Sequence, residues 1–314
     1  MGPEGTTKHR LGWIGAGRMG SALTERLLAA GCDVGVYNRT RSKAEPLEAL
    51  GATLVDHPSD LADRDIVFSM VGGNDDFLEV TTGPSGVLSV EGTAPKILID
   101  STTVSAEVST QVRAYCDKTG TALLAAPVSG NPSVVKVGRL TFAVSGPQAA
   151  FDTAAPYLDL LGAGASYVGD GELARLVKIC HNLFLGVVAQ SMAEITVLAE
   201  KGGVSRHAFL DFINNSVMGS TFSRYKTPAF VTLDMTPTFT PVLLLKDFDL
   251  GMAAGKELNV PLPVTAAVRE LVMGLLGRGI TGEDFAVLLR IQAEASGLEL
   301  VPEDVDVDDG LGEA

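Results

Sequence analysis

The chain has 314 residues, 46% apolar and 20% charged, enough to bury a large core and to exclude disorder as its main state. Its 24 basic residues against 38 acidic ones give a formal charge of −14, which opposes gripping a phosphate backbone and excludes nucleic acid as a partner. Three cysteines, Cys32, Cys116 and Cys180, lie far apart with neither CxxC spacing nor an even-numbered framework; disulfide scaffolding and structural zinc are excluded and a cytoplasmic chain is expected.

At the start, Lys8, His9 and Arg10 precede an apolar stretch over 11–30, but Arg18, Glu25 and Arg26 interrupt it and leave no clean signal-peptide core. From residue 10 to about 168, short runs rich in Val, Ile and Leu alternate with segments of helical period. The strands are expected at 11–14, 33–37, 66–70, 97–100, 122–126, 140–144 and 166–168, and helices at 21–30, 43–50, 106–119 and 148–160 among others. Gly31, Gly51, Gly120 and Gly162 follow these helices where a left-handed cap is wanted. Such alternation predicts an α/β domain of the doubly wound, Rossmann type, with a mostly parallel sheet between two helical layers.

After 168 the strand signals stop. Helices are expected at 172–201, 205–214, 242–258, 264–277 and 283–295, so the second half is read as an all-α domain entered by one long helix. The apolar stretch 176–198 within that helix is broken by Lys178, His181, Asn182, Gln190 and Glu194, which predicts a buried helix and no membrane span. The expected organisation is therefore a dinucleotide-binding domain over 1–168, a helical substrate and dimerisation domain over 169–300, and a tail over 301–314. Glu303, Asp304, Asp306, Asp308, Asp309 and Glu313 make that tail acidic, and disorder is expected there.

Gly15-Ala16-Gly17-Arg18-Met19-Gly20 is a G-x-G-x-x-G placed directly after an expected strand and at the start of an expected helix. In that context Gly15 permits the tight turn, Gly17 lets the backbone approach a pyrophosphate, and Gly20 allows helix to pack on strand. The end of the second strand chooses the dinucleotide. An NAD enzyme usually has Asp or Glu there, whereas this chain has Tyr37-Asn38-Arg39-Thr40-Arg41. Arg39 can meet a 2′-phosphate as a planar donor, with hydrogen bonds from Asn38, Thr40 and Arg41, so NADPH is expected ahead of NADH.

These residues, with three later motifs, resemble the β-hydroxyacid dehydrogenase family, which includes 3-hydroxyisobutyrate dehydrogenase and the glyoxylate and succinic semialdehyde reductases; 6-phosphogluconate dehydrogenase is a more distant member. The resemblance spans about Arg10 to Leu298. It rests on the glycine motif with Met19 before Gly20, on Ala126-Pro127-Val128-Ser129-Gly130 followed by Gly138-Arg139-Leu140, on Gly169-Asp170-Gly171 followed by Lys178 and Asn182, and on Lys246-Asp247-Phe248-Asp249-Leu250-Gly251.

The resemblance implies that Lys178 is the general acid in carbonyl reduction and the general base in alcohol oxidation. Residue chemistry agrees, because an ammonium can stabilise the developing alkoxide and donate its proton. Asn182, four residues on and so on the same helix face, would hold the substrate oxygen. Ser129 with the N–H groups of Gly130 and Asn131 would bind a substrate carboxylate. Asn131 departs from the family's usual second glycine, Pro132 stiffens the loop and Val134-Val135-Lys136 makes it bulkier, so a substrate without a carboxylate is also open. Thr102, in Ser101-Thr102-Thr103, resembles the segment beside the nicotinamide; Met70, Val71 and Asn74 resemble the loop along the adenosine path, and Lys246 a cofactor-side residue.

His181 points elsewhere on the helix from Lys178, and four histidines without a H-E-x-x-H spacing give no metal site. The aromatic region with Phe222, Arg224, Tyr225, Phe230 and Phe239 could shape the substrate pocket, though such spacing is more often core. The expected activity is NADPH-dependent hydride transfer to a small oxo acid or semialdehyde, in a homodimer or homotetramer. An imine reductase, which shares the architecture and the Asn-Arg-Thr signature but usually lacks the lysine, and a non-catalytic dinucleotide-binding module are the alternatives.

Overall fold

The computed structural model of the protein describes residues 9–312. Lys8 and Glu313, used above in reading the two ends, lie outside the described residues. The chain forms two compact units that divide between Lys178 and Ile179, ten residues beyond the expected boundary and inside the long helix α7 (Leu173–Lys201).

The first unit is built on a nine-stranded sheet. Its strands are β1 (Leu11–Ile14), β2 (Val34–Tyr37), β3 (Thr53–Leu54), β4 (Ile66–Ser69), β5 (Ile97–Asp100), β6 (Ala122–Ala125), β7 (Val128–Ser129), β8 (Thr141–Ser145) and β9 (Gly164–Gly169). They lie in the order β3-β2-β1-β4-β5-β6-β8-β7, with β9 pairing β8. All pairs from β3 to β6 are parallel; β8 runs antiparallel to β6 and β7, and β9 lies parallel to β8. The expected Rossmann-type architecture is therefore present. β3 and β7, two residues each, are too short to show a period-two pattern and were not expected.

Burial on both faces explains why the strands read as near-continuous apolar runs. On one face Leu11, Trp13, Val34, Val36, Phe68 and Ile99 pack under Leu23 and Leu27 of α1 (Arg18–Ala29). Tyr157 and Leu158 of α6 (Gln148–Leu161) pack there too. On the other face Ile14, Val67, Leu98 and Leu123 meet Phe77 and Val80 of α3 (Asn74–Thr82), and Val112 and Cys116 of α4 (Ala106–Thr119). Two shorter helices, α2 (Glu45–Glu48) and α5 (Pro132–Lys136), complete this unit. The chain leaves β1 in one direction to β2 and returns to β4 on its other side. That reversal opens a crevice at the carboxyl ends of β1, β2 and β4, whose last residues Ile14, Tyr37 and Ser69 are in register.

The second unit is all helical: the rest of α7, then α8 (Arg206–Asn215), α9 (Thr221–Thr232), α10 (Pro241–Glu257), α11 (Pro263–Gly277) and α12 (Leu288–Ala295). Ser205, Ser220 and Thr240 start α8, α9 and α10 by accepting from a backbone N–H with the side-chain oxygen. Its core gathers Phe230, Leu244, Phe248, Val272, Leu275, Phe285 and Leu289. The helix α7 is long and apolar enough to cross a membrane by length and composition, and half of its most apolar stretch is buried inside the protein.

The tail departs from its expected disorder over 301–312. Glu303 accepts from the N–H groups of Arg206 at 2.7 Å and His207 at 3.1 Å, so its carboxylate caps the start of α8, where the helix dipole favours an anion. The buried Arg206 guanidinium donates to the Val301 carbonyl, Val307 packs on the helical core and Leu311 is buried. Acidic composition signalled solvation; the individual contacts of Glu303, Val307 and Leu311 outweigh it.

Candidate active site

Each glycine of the phosphate loop has its own geometric reason. Gly15 sits at φ +105°, and a Cβ there would stand 2.2 Å from the Met70 carbonyl oxygen. A Cβ at Gly20 would stand 1.9 Å from the Gly15 carbonyl oxygen. At Gly17 a Cβ would meet no atom within 4 Å, because that position faces open space. Beneath the loop, the buried Trp13 donates its indole N–H to the Gly15 carbonyl at 2.9 Å and stacks on Phe68. The loop thus rests on a rigid floor.

Gly17 is the N-cap of α1 and offers no side-chain cap, and the first turn of α1 carries no acid. Its N–H donors and positive dipole end are therefore available to an anion. In front of them lies a cavity of about 440 Å³ lined by Gly15, Gly17, Arg18, Met19, Gly20, Asn38, Arg39, Thr40, Met70 and Val71, all singled out in the sequence. Tyr37, Lys43, Gly72, Asp76, Glu79 and Val80 line it as well; Tyr37 stood in the quoted β2 segment without a role, and Asp76, Glu79 and Val80 were missed because α3 carries no motif. A nicotinamide dinucleotide fits this cradle: an uncapped helix start, an open glycine and cations beside it.

Some of the chosen residues act as scaffold. The Asn38 amide is spent on the loop itself, accepting from the Ala16 N–H at 2.8 Å and donating to the Thr40 carbonyl at 2.7 Å. Thr102 is buried, and its hydroxyl accepts from the Val71 N–H at 3.1 Å, tying the loop after β4 to the loop after β5. Asn74 accepts from the Ser105 N–H at 2.9 Å. Arg39 is largely exposed and its guanidinium lies 2.6 Å from Asp76, while Arg41 turns to Asp56. Ser129 ends β7, and Gly130 at φ +140° leaves no room for a side chain: a Cβ would stand 2.8 Å from Leu140 and 2.9 Å from Val134. The Asn131 carboxamide caps α5 by accepting from the Val134 N–H at 3.0 Å.

The helix α7 starts in a buried ionic chain that the sequence did not announce. Arg175 donates to Asp100 at 2.9 Å, to Glu172 at 2.9 Å and to the Thr102 carbonyl at 3.0 Å. Asp100, fully buried, also accepts from the Ser69 hydroxyl and the Thr102 N–H. One turn after Arg175 comes the half-buried Lys178.

In the second unit Asn182 is buried and donates to Asp247 at 2.6 Å, while the His181 ring lies 2.9 Å from its carbonyl oxygen. The glycines of α7 and α10 make that contact possible. A Cβ at Gly186 would stand 2.6 Å from Phe248, and one at Gly251 would stand 2.4 Å from Leu183, so each helix presses a large side chain onto the other's glycine. Lys246, half exposed, lies 4.0 Å from the other oxygen of Asp247. Asp247 was present in the quoted motif without a role; its being acid among Leu245 and Phe248 was the available signal. The histidine set aside in the sequence stands next to the polar pair. No group of three or more His, Cys, Asp or Glu suited to a metal occurs among the described residues.

Comparison with known proteins agrees with this arrangement. Residues 10–169 match the model of the NAD-binding domain of 6-phosphogluconate dehydrogenase, and residues 172–292 that of the NAD-binding domain of NADP-dependent 3-hydroxyisobutyrate dehydrogenase. The chain is 30% identical to 2-(hydroxymethyl)glutarate dehydrogenase of Eubacterium barkeri, over 93% of this chain and 97% of that one. It is 29% identical to the chloroplastic glyoxylate/succinic semialdehyde reductase 2 of Arabidopsis thaliana, over 92% of this chain and 81% of the relative. The crystal structure of 3-hydroxyisobutyrate dehydrogenase from Salmonella typhimurium superposes with a TM-score of 0.77 at 24% identity, covering 90% of this chain and 99% of that one, which speaks to the fold. The chain belongs to the β-hydroxyacid dehydrogenase family and is an NAD(P)-dependent oxidoreductase acting on CH–OH groups.

Proposed function

We propose that the protein is an NADPH-preferring reductase of a small oxo acid or semialdehyde, running in reverse as a 3-hydroxy acid dehydrogenase, with Lys178 as its acid and base. The observation that carries this reading is the polar set on α7 and α10. Lys178 and Asn182 lie one helical turn apart, and Asn182 is fixed by a 2.6 Å bond to Asp247 beside Lys246. Gly15, Gly17, Gly20, Arg18 and Arg39 would hold the dinucleotide, whose reduced nicotinamide supplies a hydride to the carbonyl carbon.

Negative charge then develops on the carbonyl oxygen, and the Lys178 ammonium stabilises it and delivers the proton. In alcohol oxidation the neutral amine takes that proton back. The Asn182 carboxamide, already oriented by Asp247, has a second N–H for the substrate oxygen and keeps a defined position relative to Lys178 along the helix. Ser129 and Gly130 would take the substrate's far end. The Asn131 side chain caps α5, so its part there would be taken by its backbone N–H. We also infer a homodimer or homotetramer, because Val177, Phe184, Ile195 and Leu198 recur near whole turns of α7 and remain exposed, at 69% for Phe184 and 73% for Leu198; a cytoplasmic setting rests on the three scattered cysteines alone.

The test is steady-state oxidation of NADPH with glyoxylate, succinic semialdehyde, tartronate semialdehyde, methylmalonate semialdehyde and a cyclic imine. Turnover of at least one oxo acid or semialdehyde, with a higher kcat/KM than the imine, is expected. Turnover of the imine alone would replace this reading with C=N reduction, and turnover of none would leave a dinucleotide-binding module.

A further inference from the structure

The cavity assigned above to the dinucleotide is lined by the cations Arg39 and Lys43 and also by the acids Asp76 and Glu79. An acid at the end of β2 is the usual means of disfavouring a 2′-phosphate, and this chain has none there. An acid nevertheless reaches the same place from another element. Asp76 stands in the first turn of α3, and its Oδ1 lies 2.6 Å from the Arg39 guanidinium. That guanidinium is the group read above as the 2′-phosphate donor. The Asp76 side chain keeps a third of its surface exposed, so its charge is felt in the cavity and is not spent inside the protein.

We propose that Asp76 is a specificity-determining residue that tempers the preference for NADPH, a role resting on the reading that Arg39 meets the 2′-phosphate. It occupies part of the Arg39 fork and sets a negative charge beside the site of a phosphate that carries nearly two more. NADH, with a 2′-hydroxyl, meets no such repulsion and can donate to the carboxylate. The chain is therefore built for both dinucleotides, with the ratio set by an ion pair between β2's loop and α3.

Binding, not turnover, gives the cleanest readout. The chain's one tryptophan, Trp13, is buried directly beneath the phosphate loop, so energy transfer from its indole to reduced nicotinamide reports occupancy. The Kd values of NADPH, NADH, 2′,5′-ADP and 5′-ADP are measured for the wild type and for Asp76→Asn, Asp75→Asn and Arg39→Ala; the two adenosine diphosphates are read by displacement of NADPH.

Asp76→Asn is expected to tighten NADPH and 2′,5′-ADP by about three- to ten-fold while NADH and 5′-ADP change by less than about two-fold, the range of one like charge removed at contact distance in a wet site. Asp75→Asn, the same charge change on the same helix but outside the cavity lining, is expected to shift no ratio by more than about two-fold. An unchanged NADPH-to-NADH ratio in Asp76→Asn overturns the proposal, as does a weaker hold on NADPH, which would make Asp76 a support for Arg39. Arg39→Ala separates the two claims: if it leaves the ratio of NADPH to NADH intact, the reading of Arg39 fails and the role of Asp76 falls with it.

Discussion

At the scale of single residues, the three glycines of the phosphate loop make opposite demands. Gly20 faces the Gly15 carbonyl at a distance no Cβ tolerates, whereas Gly17 faces open space. Gly17→Ala is therefore expected to fold normally, with a Tm within about 2 °C of the wild type, yet to weaken NADPH by more than about ten-fold because its methyl enters the path of the pyrophosphate. Gly20→Ala is expected to lose both binding and several degrees of Tm. Thermal scans with Trp13 fluorescence titrations distinguish them; equal damage from both would mean that Gly17 is structural. These glycines were legible through their G-x-G-x-x-G spacing, although the carbonyl that forbids a side chain at Gly15 belongs to Met70, far along the chain. Asn38 was legible only as a polar residue at the right place, since its partner, the Ala16 N–H, comes from 22 residues earlier and no local pattern records it.

At the scale of elements, helix periodicity showed α7 and its polar interruptions at Lys178 and Asn182, but not what anchors either end of that pair. The Arg175 to Asp100 contact joins residues 75 apart, and the Asn182 to Asp247 contact joins residues 65 apart. Helix α9 escaped notice because Pro228 lies inside it and its aromatics suggest filling between helices; the reciprocal Ser220 and Ser223 caps are what start it.

A second buried pair, Lys226 and Asp284 at 2.8 Å, joins α9 to the turn before α12, with Asp284 also accepting from Thr238 and from the Ala286 N–H. Burial pushes the Asp284 carboxyl up, but Lys226, Ala286 and Thr238 together hold it below its ordinary 3.8; for Lys226 burial prevails and holds the ammonium below 10.5. With the folded carboxyl depressed, its stabilising effect is complete above pH 3.8 and is lost as pH falls through the lower folded value. Asp284→Asn is expected to cost about 3–5 kcal/mol near neutrality by stranding the lysine. The gap between its urea midpoint and that of the wild type should narrow below pH 3.8. A gap independent of pH would show that packing, not charge, holds this joint.

At the scale of the whole molecule, net charge misled in one respect. The figure of −14 discourages phosphate ligands, while Arg18, Arg39 and Lys43 line one cavity and Asp76 and Glu79 moderate them. The acidic tail is part of the same lesson, because Glu303 has a structural task at the start of α8. The exposed stripe on α7 leads us to expect sedimentation as a dimer or tetramer at micromolar concentration; a strictly monomeric wild type would contradict the reading of that stripe.

The central claim is that Lys178 moves the proton when hydride arrives. Single-turnover oxidation of bound NADPH by the accepted semialdehyde or oxo acid, followed by reduced-nicotinamide absorbance in the wild type and in Lys178→Ala, tests it most directly. The variant is predicted to slow by about 10²- to 10⁴-fold with its NADPH Kd, read through Trp13, unchanged within about two-fold. Hydride transfer at the wild-type rate in Lys178→Ala would contradict the account.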